Sequence, residues 1–249
     1  MTDPTQVRPA ALVTGGARRI GAAIVRRLHA AGHDIALHHH ASAGEATALA
    51  TELERGRPGS VLRLAADLAD LDALKRLVGA VVARFGRLDA LVNNASAFFP
   101  TPLATATVEQ ARALFAVNAL APWQLAQAAA PHLVATRGAI VNLVDIHAER
   151  PLREHALYGA SKAALVYLTQ ALALELAPDV RVNAIAPGAI LWPENGKSDA
   201  AREAILARVP LARTGTPEEI AAAVRWLLRE ATYTTGQVLR LDGGRSLVG

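Results

Sequence analysis

AALVTGGARRIG, Ala10–Gly21, runs an apolar segment into two glycines and two arginines, and the chain continues with apolar residues at Ile24, Leu28 and Ala31. A short apolar run bounded by glycine reads as a strand, and the three-to-four spacing after it reads as a helix. A strand turning sharply into a helix presents unpaired backbone N–H groups and a positive helix terminus, which is a place for an anion. Gly15 permits the tight turn and Gly21 lets the helix lie close to the strand. The middle glycine of the dinucleotide-binding pattern is replaced by Arg19, so the pattern needs support from the rest of the chain.

Strand-like apolar runs recur at 10–14, 34–39, 60–67, 88–93, 138–144, 180–186 and 237–242, and stretches with helical spacing, such as Leu74, Leu77, Val78 and Val81, lie between them. These runs are nearly continuous rather than alternating, so both faces of the sheet are expected to be covered by helices. The fold expected is α/β: one Rossmann-like, doubly wound domain over 10–249, with about seven parallel strands and helices on both faces. Residues 1–9 are expected to be frayed. The Pro- and Gly-rich piece from Pro187 to Asp199 is too long for an ordinary connection, and 187–207 is expected to form a substrate loop and lid.

Composition narrows the function. The 52% hydrophobic content is scattered in short blocks, none near the roughly 18 residues that a membrane helix requires. MTDPTQVRP carries no apolar secretory segment. There is no cysteine, which excludes disulfides and thiolate metal sites, fits a cytoplasmic location and leaves redox chemistry to a bound cofactor. The net charge of +4, from 26 basic and 22 acidic residues spread along the chain, gives no stripe for nucleic acid.

The second strand ends in His38, His39, His40, Ala41 and Ser42, where an NAD-preferring site would carry an acidic residue for the ribose hydroxyls. With no carboxylate there, and with Arg18 on the neighbouring turn to pair with a 2′-phosphate, NADPH is favoured over NADH. The three histidines point to alternate faces and no Cys or Asp completes a ligand set, so no metal is expected.

Four further pieces appear in order: LVNNAS (91–96), Asn118 within a helix, Tyr158 with Lys162, and Pro187–Gly188. A spacing of four puts Tyr158 and Lys162 on one helical face, and an ammonium beside a phenol is expected to lower its pKa from about 10. With these motifs the chain resembles the short-chain dehydrogenase/reductases over nearly its whole length. The resemblance implies that Tyr158 donates the proton, that Lys162 holds the nicotinamide ribose and that Asn118 supports a relay water. It also implies a cofactor set of Gly15, Arg18, Arg19, Ile20, Gly21, His38, His40, Ser42, Asp67, Leu68, Asn93, Ala95, Ser96, Tyr158, Lys162, Pro187 and Gly188. A homotetramer is implied too, for which the apolar stretch NALAPWQLAQAAA (118–130) could supply a docking face.

Asp145 stands where most reductases of this superfamily carry Ser. An ionised carboxylate cannot donate to a carbonyl oxygen and would repel a developing alkoxide. Reduction of a C=N bond needs instead a proton at nitrogen, and a substrate with ring N–H or amino donors could bind the carboxylate. Arg19, Asp145, NNASAFFP (93–100) and HHHASAGEA (38–46) together resemble pteridine reductases. That likeness implies a pterin stacked between nicotinamide and Phe98, held by Ser96, Arg19, Asp145 and Tyr158, with Ser42 at the 2′-phosphate. Ala41 stands where pteridine reductases can carry an arginine. The function expected is NADPH-dependent reduction of a dihydropterin, oxidised pterin or dihydrofolate. The alternatives are reduction of another carbonyl substrate such as a 3-oxoacyl thioester, and a non-catalytic NADPH-binding sensor.

Overall fold

The structure, a computed structural model, describes residues 8–192 and 198–248. Seven parallel strands form one sheet in the order β3-β2-β1-β4-β5-β6-β7. They are β1 (Ala10–Val13), β2 (Asp34–His39), β3 (Val61–Ala65), β4 (Ala90–Asn93), β5 (Ala139–Leu143), β6 (Arg181–Pro187) and β7 (Val238–Leu241). The helices between them are α1 (Arg19–Ala30), α2 (Ala43–Gly56), α3 (Leu71–Phe85), α4 (Val108–Phe115), α5 (Ala121–Thr136), α6 (Ala156–Glu175), α7 (Asp199–Leu206) and α8 (Pro217–Arg229). Each expected strand is present; β2 keeps its expected bounds, β6 runs one residue later, and the others are shortened where the apolar run meets a turn.

Strand side chains alternate faces, and both faces are covered. Ala11, Val13, Ile35, Leu37, Val92 and Val141 pack with Ile24 and Leu28 of α1, Leu49 of α2, and Ile220 and Val224 of α8. Leu12, Ala36, Leu91, Ile140 and Val182 pack on the other side with Leu74 and Val81 of α3, Leu125 and Leu133 of α5, and Leu172 of α6. This double burial is why the strand sequences lack polar alternation. Each fully buried leucine or isoleucine contributes about 1.5–3 kcal/mol.

The strand order reverses direction between β1 and β4, so the loops after these strands part and leave a crevice at the carboxyl edge of the sheet. Arg8 and Pro9, expected to be part of a frayed start, are tied to β2: Arg8 ion-pairs with Asp34 at 2.9 Å, and the Pro9 carbonyl accepts from the Asp34 N–H at 2.8 Å. Residues 1–7, and 193–197 of the expected lid, lie outside the described residues. Among the described residues, no helix is long and apolar enough to cross a membrane.

Candidate active site

At the first turn, Gly15 takes φ +60°, and a Cβ built there would sit 3.0 Å from the Ala95 Cα. A Cβ on Gly21 would sit 2.0 Å from the Gly15 carbonyl oxygen, so only glycine lets α1 start this close to β1. Arg19, at the middle glycine position, retains the left-handed backbone with φ +52°. For a non-glycine residue that costs of order 1 kcal/mol or more, and such strain concentrates at sites of function.

The crevice is a cleft of about 440 Å³ lined by Gly15, Ala17–Gly21, His39–Ser42 and Asn94–Ser96. It therefore brings together nine residues expected to bind cofactor: Gly15, Arg18, Arg19, Ile20, Gly21, His40, Ser42, Ala95 and Ser96. A backbone cradle that excludes a Cβ, open to a helix start and flanked by guanidinium groups, fits the pyrophosphate of a dinucleotide. Ala17, His39, Ala41 and Asn94 also line it, and sequence reasoning missed them.

The remaining expected contacts are placed differently. His38 is buried behind the turn: Nδ1 accepts from the Gly15 N–H at 3.2 Å, and Nε2–H donates to the Ala66 carbonyl at 3.1 Å. Burial pushes its pKa down to about 4, so the ring is a neutral strut under the glycine turn. Asn93 is buried and begins a ladder: its Nδ2 donates to Asn142 Oδ1 at 2.8 Å, and Asn142 donates to Thr169 of α6 at 2.9 Å. Asp67 is exposed after β3 with one carboxylate oxygen accepting from the Ala69 N–H, Leu68 is buried, and Gly188 packs against Asp242 after Pro187 ends β6. None of these lines the cleft.

No carboxylate stands among residues 38–42 at the end of β2, but Glu45, three residues on in the first turn of α2, faces the Arg18 guanidinium at 3.6 Å. Both side chains are about half exposed, so the pair contributes no more than about 1 kcal/mol. Thr14 and Asn94 staple the first turn to the fourth: Thr14 Oγ1 accepts from the Asn94 and Ala95 N–H groups at 3.0 and 3.1 Å, and Asn94 Nδ2 donates to the Thr14 and Gly15 carbonyls at 2.9 and 3.0 Å.

Beyond the cleft, Tyr158, Ser161, Lys162, Leu165 and Thr169 share the buried face of α6. Asp145 follows β5 in extended conformation and caps the short turn Ile146–Ala148. One of its oxygens accepts from the His147 N–H at 2.8 Å and the other from the Tyr158 hydroxyl at 2.7 Å. Lys162 is fully enclosed, its ammonium donating to the Leu143 carbonyl at 2.9 Å, and burial lowers its pKa to about 8 against the opposing pull of Asp145. The expected lowering of the phenol is overturned. Tyr158 is pushed up, first by burial and then by the Asp145 charge and hydrogen bond, because a buried phenolate would face a carboxylate.

Asn118 occupies a π-helical turn, Ala116–Leu120, between α4 and α5. Its Oδ1 accepts from Ser96 Oγ and the Ala97 N–H at 3.0 and 2.9 Å, while Nδ2 donates to the Ala97 carbonyl and Ser161 Oγ at 2.9 and 3.0 Å. The side chain is thus a clamp joining the β4 loop to α6, and any water it supports would have to use its backbone carbonyl. Pro122, four residues on, has no N–H to give that carbonyl. The Phe98 ring is 55% exposed, stacks on His155 at 4.7 Å and meets Tyr158 edge-on at 4.7 Å. An apolar wall therefore stands beside the Tyr158–Asp145 pair.

The family described as Enoyl-(Acyl carrier protein) reductase matches residues 15–246. Pteridine reductase 1 of Leishmania tarentolae is 37% identical, covering 99% of this chain and 98% of the relative. The chain belongs to the short-chain dehydrogenase/reductase family. Within this short-chain dehydrogenase/reductase family, the Granaticin polyketide synthase putative ketoacyl reductase 2 of Streptomyces violaceoruber is 40% identical, covering 96% of this chain and 97% of the relative. A 3-oxoacyl-[acyl-carrier-protein] reductase of Thermotoga maritima is 36% identical, covering 94% and 96%. The protein is accordingly an oxidoreductase of this family, using a nicotinamide dinucleotide.

Proposed function

We propose that the protein is an NADPH-dependent pteridine reductase, converting a dihydropterin, an oxidised pterin or dihydrofolate to the tetrahydro form. The observation that carries this reading is the 2.7 Å bond from the Tyr158 hydroxyl to Asp145. The bound cofactor supplies hydride to the carbon of a C=N bond. The chain supplies the proton and the orientation. A flat heterocycle lies against Phe98, and its N–H or amino donors are accepted by Asp145. Once Asp145 accepts from the substrate, the Tyr158 O–H is released from it and turned to the ring nitrogen, where the proton is needed. A ketone offers Asp145 no donor, and its developing alkoxide would meet a negative charge. Lys162 and the Asn118 clamp hold α6 and the β4 loop in register with the cleft.

NADPH selectivity rests on Arg18 and Ser42 in the cleft, with Arg18 exchanging its exposed partner Glu45 for the 2′-phosphate. The 187–207 segment serves as substrate loop, and the protein acts in the cytoplasm. Exposed Trp123, Tyr167 and Leu174 on α5 and α6, together with Trp226 and Tyr233, support a homotetramer, which sedimentation would test.

The test is NADPH consumption with dihydrobiopterin, dihydromonapterin and dihydrofolate, beside a ketone and a 3-oxoacyl thioester. Turnover of a pterin is expected; fast ketone reduction with every pterin untouched overturns the proposal. A second reading, 3-oxoacyl thioester reduction, is favoured by the two ketoacyl-type relatives at 40% and 36% identity. Under it, Asp145→Ser raises turnover of the thioester, whereas a pteridine reductase is damaged by the same change.

A further inference from the structure

The turn that fixes Asp145 is also the floor of a second cleft, of about 560 Å³, lined by Ile146, His147, Arg150, Leu152, Arg208 and Arg245 among others. Its walls follow three successive strand ends: Ile146–Leu152 come after β5, Arg208 after α7 beyond β6, and Arg245 after β7. All lie at the carboxyl edge of the sheet, on the side of Asp145 away from the glycine turn, and the His147 N–H that lines this floor is the one held by Asp145 at 2.8 Å.

The charge of the cleft is one-sided. Arg150 donates to the Val248 carbonyl at 3.2 Å and has no carboxylate partner among the described residues. Neither do Arg208 and Arg245. The one acidic lining residue, Glu149, is already paired with Arg240. His147 Nδ1–H donates to the Arg150 carbonyl at 2.9 Å, fixing the turn. Three guanidinium groups with no carboxylate partner among the described residues, around a cleft of this size, match a carboxylate or phosphate.

We infer that this cleft binds an anionic tail on the substrate whose reacting end lies at Asp145 and Tyr158. The inference deepens the pteridine reading and rests on it for the identity of the ring. The tail is a carboxylate, as in a glutamyl conjugate, or a phosphate ester, and the experiment separates the two.

Two measurements test it. Calorimetry on the NADP⁺-saturated protein, which keeps anions out of the glycine turn, is performed with p-aminobenzoylglutamate and with glycerol phosphate. At least one is expected to bind, and the Arg208→Ala/Arg245→Ala variant is expected to lose about 10-fold or more in affinity for it. Binding of neither fragment overturns the inference whether or not pterins are reduced. In turnover, the ratio of kcat/KM for dihydrofolate or dihydroneopterin phosphate over that for dihydrobiopterin is expected to fall about 10-fold in the variant, through KM. An unchanged ratio, or a changed oligomeric state by sedimentation, overturns it; absence of all pterin turnover with fragment binding intact instead removes the pteridine reading alone.

Discussion

The Tyr158 hydroxyl, on α6, donates across 2.7 Å to Asp145, thirteen residues earlier at the end of β5. The pair holds one proton between a phenol that burial keeps protonated and a carboxylate also anchored by the His147 N–H. Tyr158→Phe removes the donor and leaves the packing, so kcat with a dihydropterin should fall by about 10²–10⁴-fold with little change in cofactor affinity. Asp145→Asn keeps the shape but offers an N–H where an acceptor is needed, and should raise KM as well as lower kcat. Steady-state kinetics on the two variants checks both; a Tyr158→Phe enzyme with undiminished turnover would remove Tyr158 as the donor.

Gly21 to alanine is predicted to damage the cleft from within. The added methyl would lie 2.0 Å from the Gly15 carbonyl oxygen and close to Asn94, both rigid parts of the staple between β1 and β4. Overpacking of this kind costs typically 1–3 kcal/mol. Thermal unfolding should report that loss, and fluorescence titration with NADPH should show affinity lowered by more than 10-fold, since the displaced backbone is the phosphate cradle.

The strands were legible because each is an apolar run buried on both sides, and Arg19, Gly21, Tyr158 and Lys162 were legible because their spacing is local. What the sequence did not disclose depends on partners distant in the chain. The Lys162 ammonium was expected to act on Tyr158, four residues away, but it donates to the Leu143 carbonyl of β5, and Asp145 takes the phenol. Glu45 reaches Arg18 from another element. Thr14 meets Asn94 across 80 residues. The family resemblance implied His38 at the cofactor, but its ring lies beneath the turn, and His39 and His40 line the cleft.

His38 makes the cleft acid-sensitive. Its pKa is about 4 in the folded protein and near 6.5 when unfolded, so between those values the unfolded chain binds more protons and stability falls as pH falls, by at most about 1.4 kcal/mol per pH unit. Protonation also removes the Nδ1 lone pair that accepts from Gly15. His38→Asn retains an acceptor and does not titrate. The unfolding free energy of wild type minus that of His38→Asn should therefore decline from pH 6.5 to pH 4.5 in denaturant titrations. A difference that stays constant would show that His38 carries no depressed pKa.

Lys162 should leave a signature of the same sign at high pH. Buried, it titrates near 8 against an ordinary 10.5, so below pH 8 the fold bears the cost of enclosing an ammonium, and between 8 and 10.5 only the unfolded chain keeps the proton. Stability contributed at this position therefore rises with pH through that window, by up to about 1.4 kcal/mol per pH unit. Lys162→Met fills the same space without a charge. In cofactor-free protein, the stability of wild type relative to Lys162→Met should improve from pH 8 to pH 10. Groups present in both proteins cancel in this difference. A flat difference across that range would mean that the ammonium, held by the Leu143 carbonyl and drawn by Asp145, keeps its proton despite burial, and that its charge is available to the nicotinamide ribose throughout the working pH range.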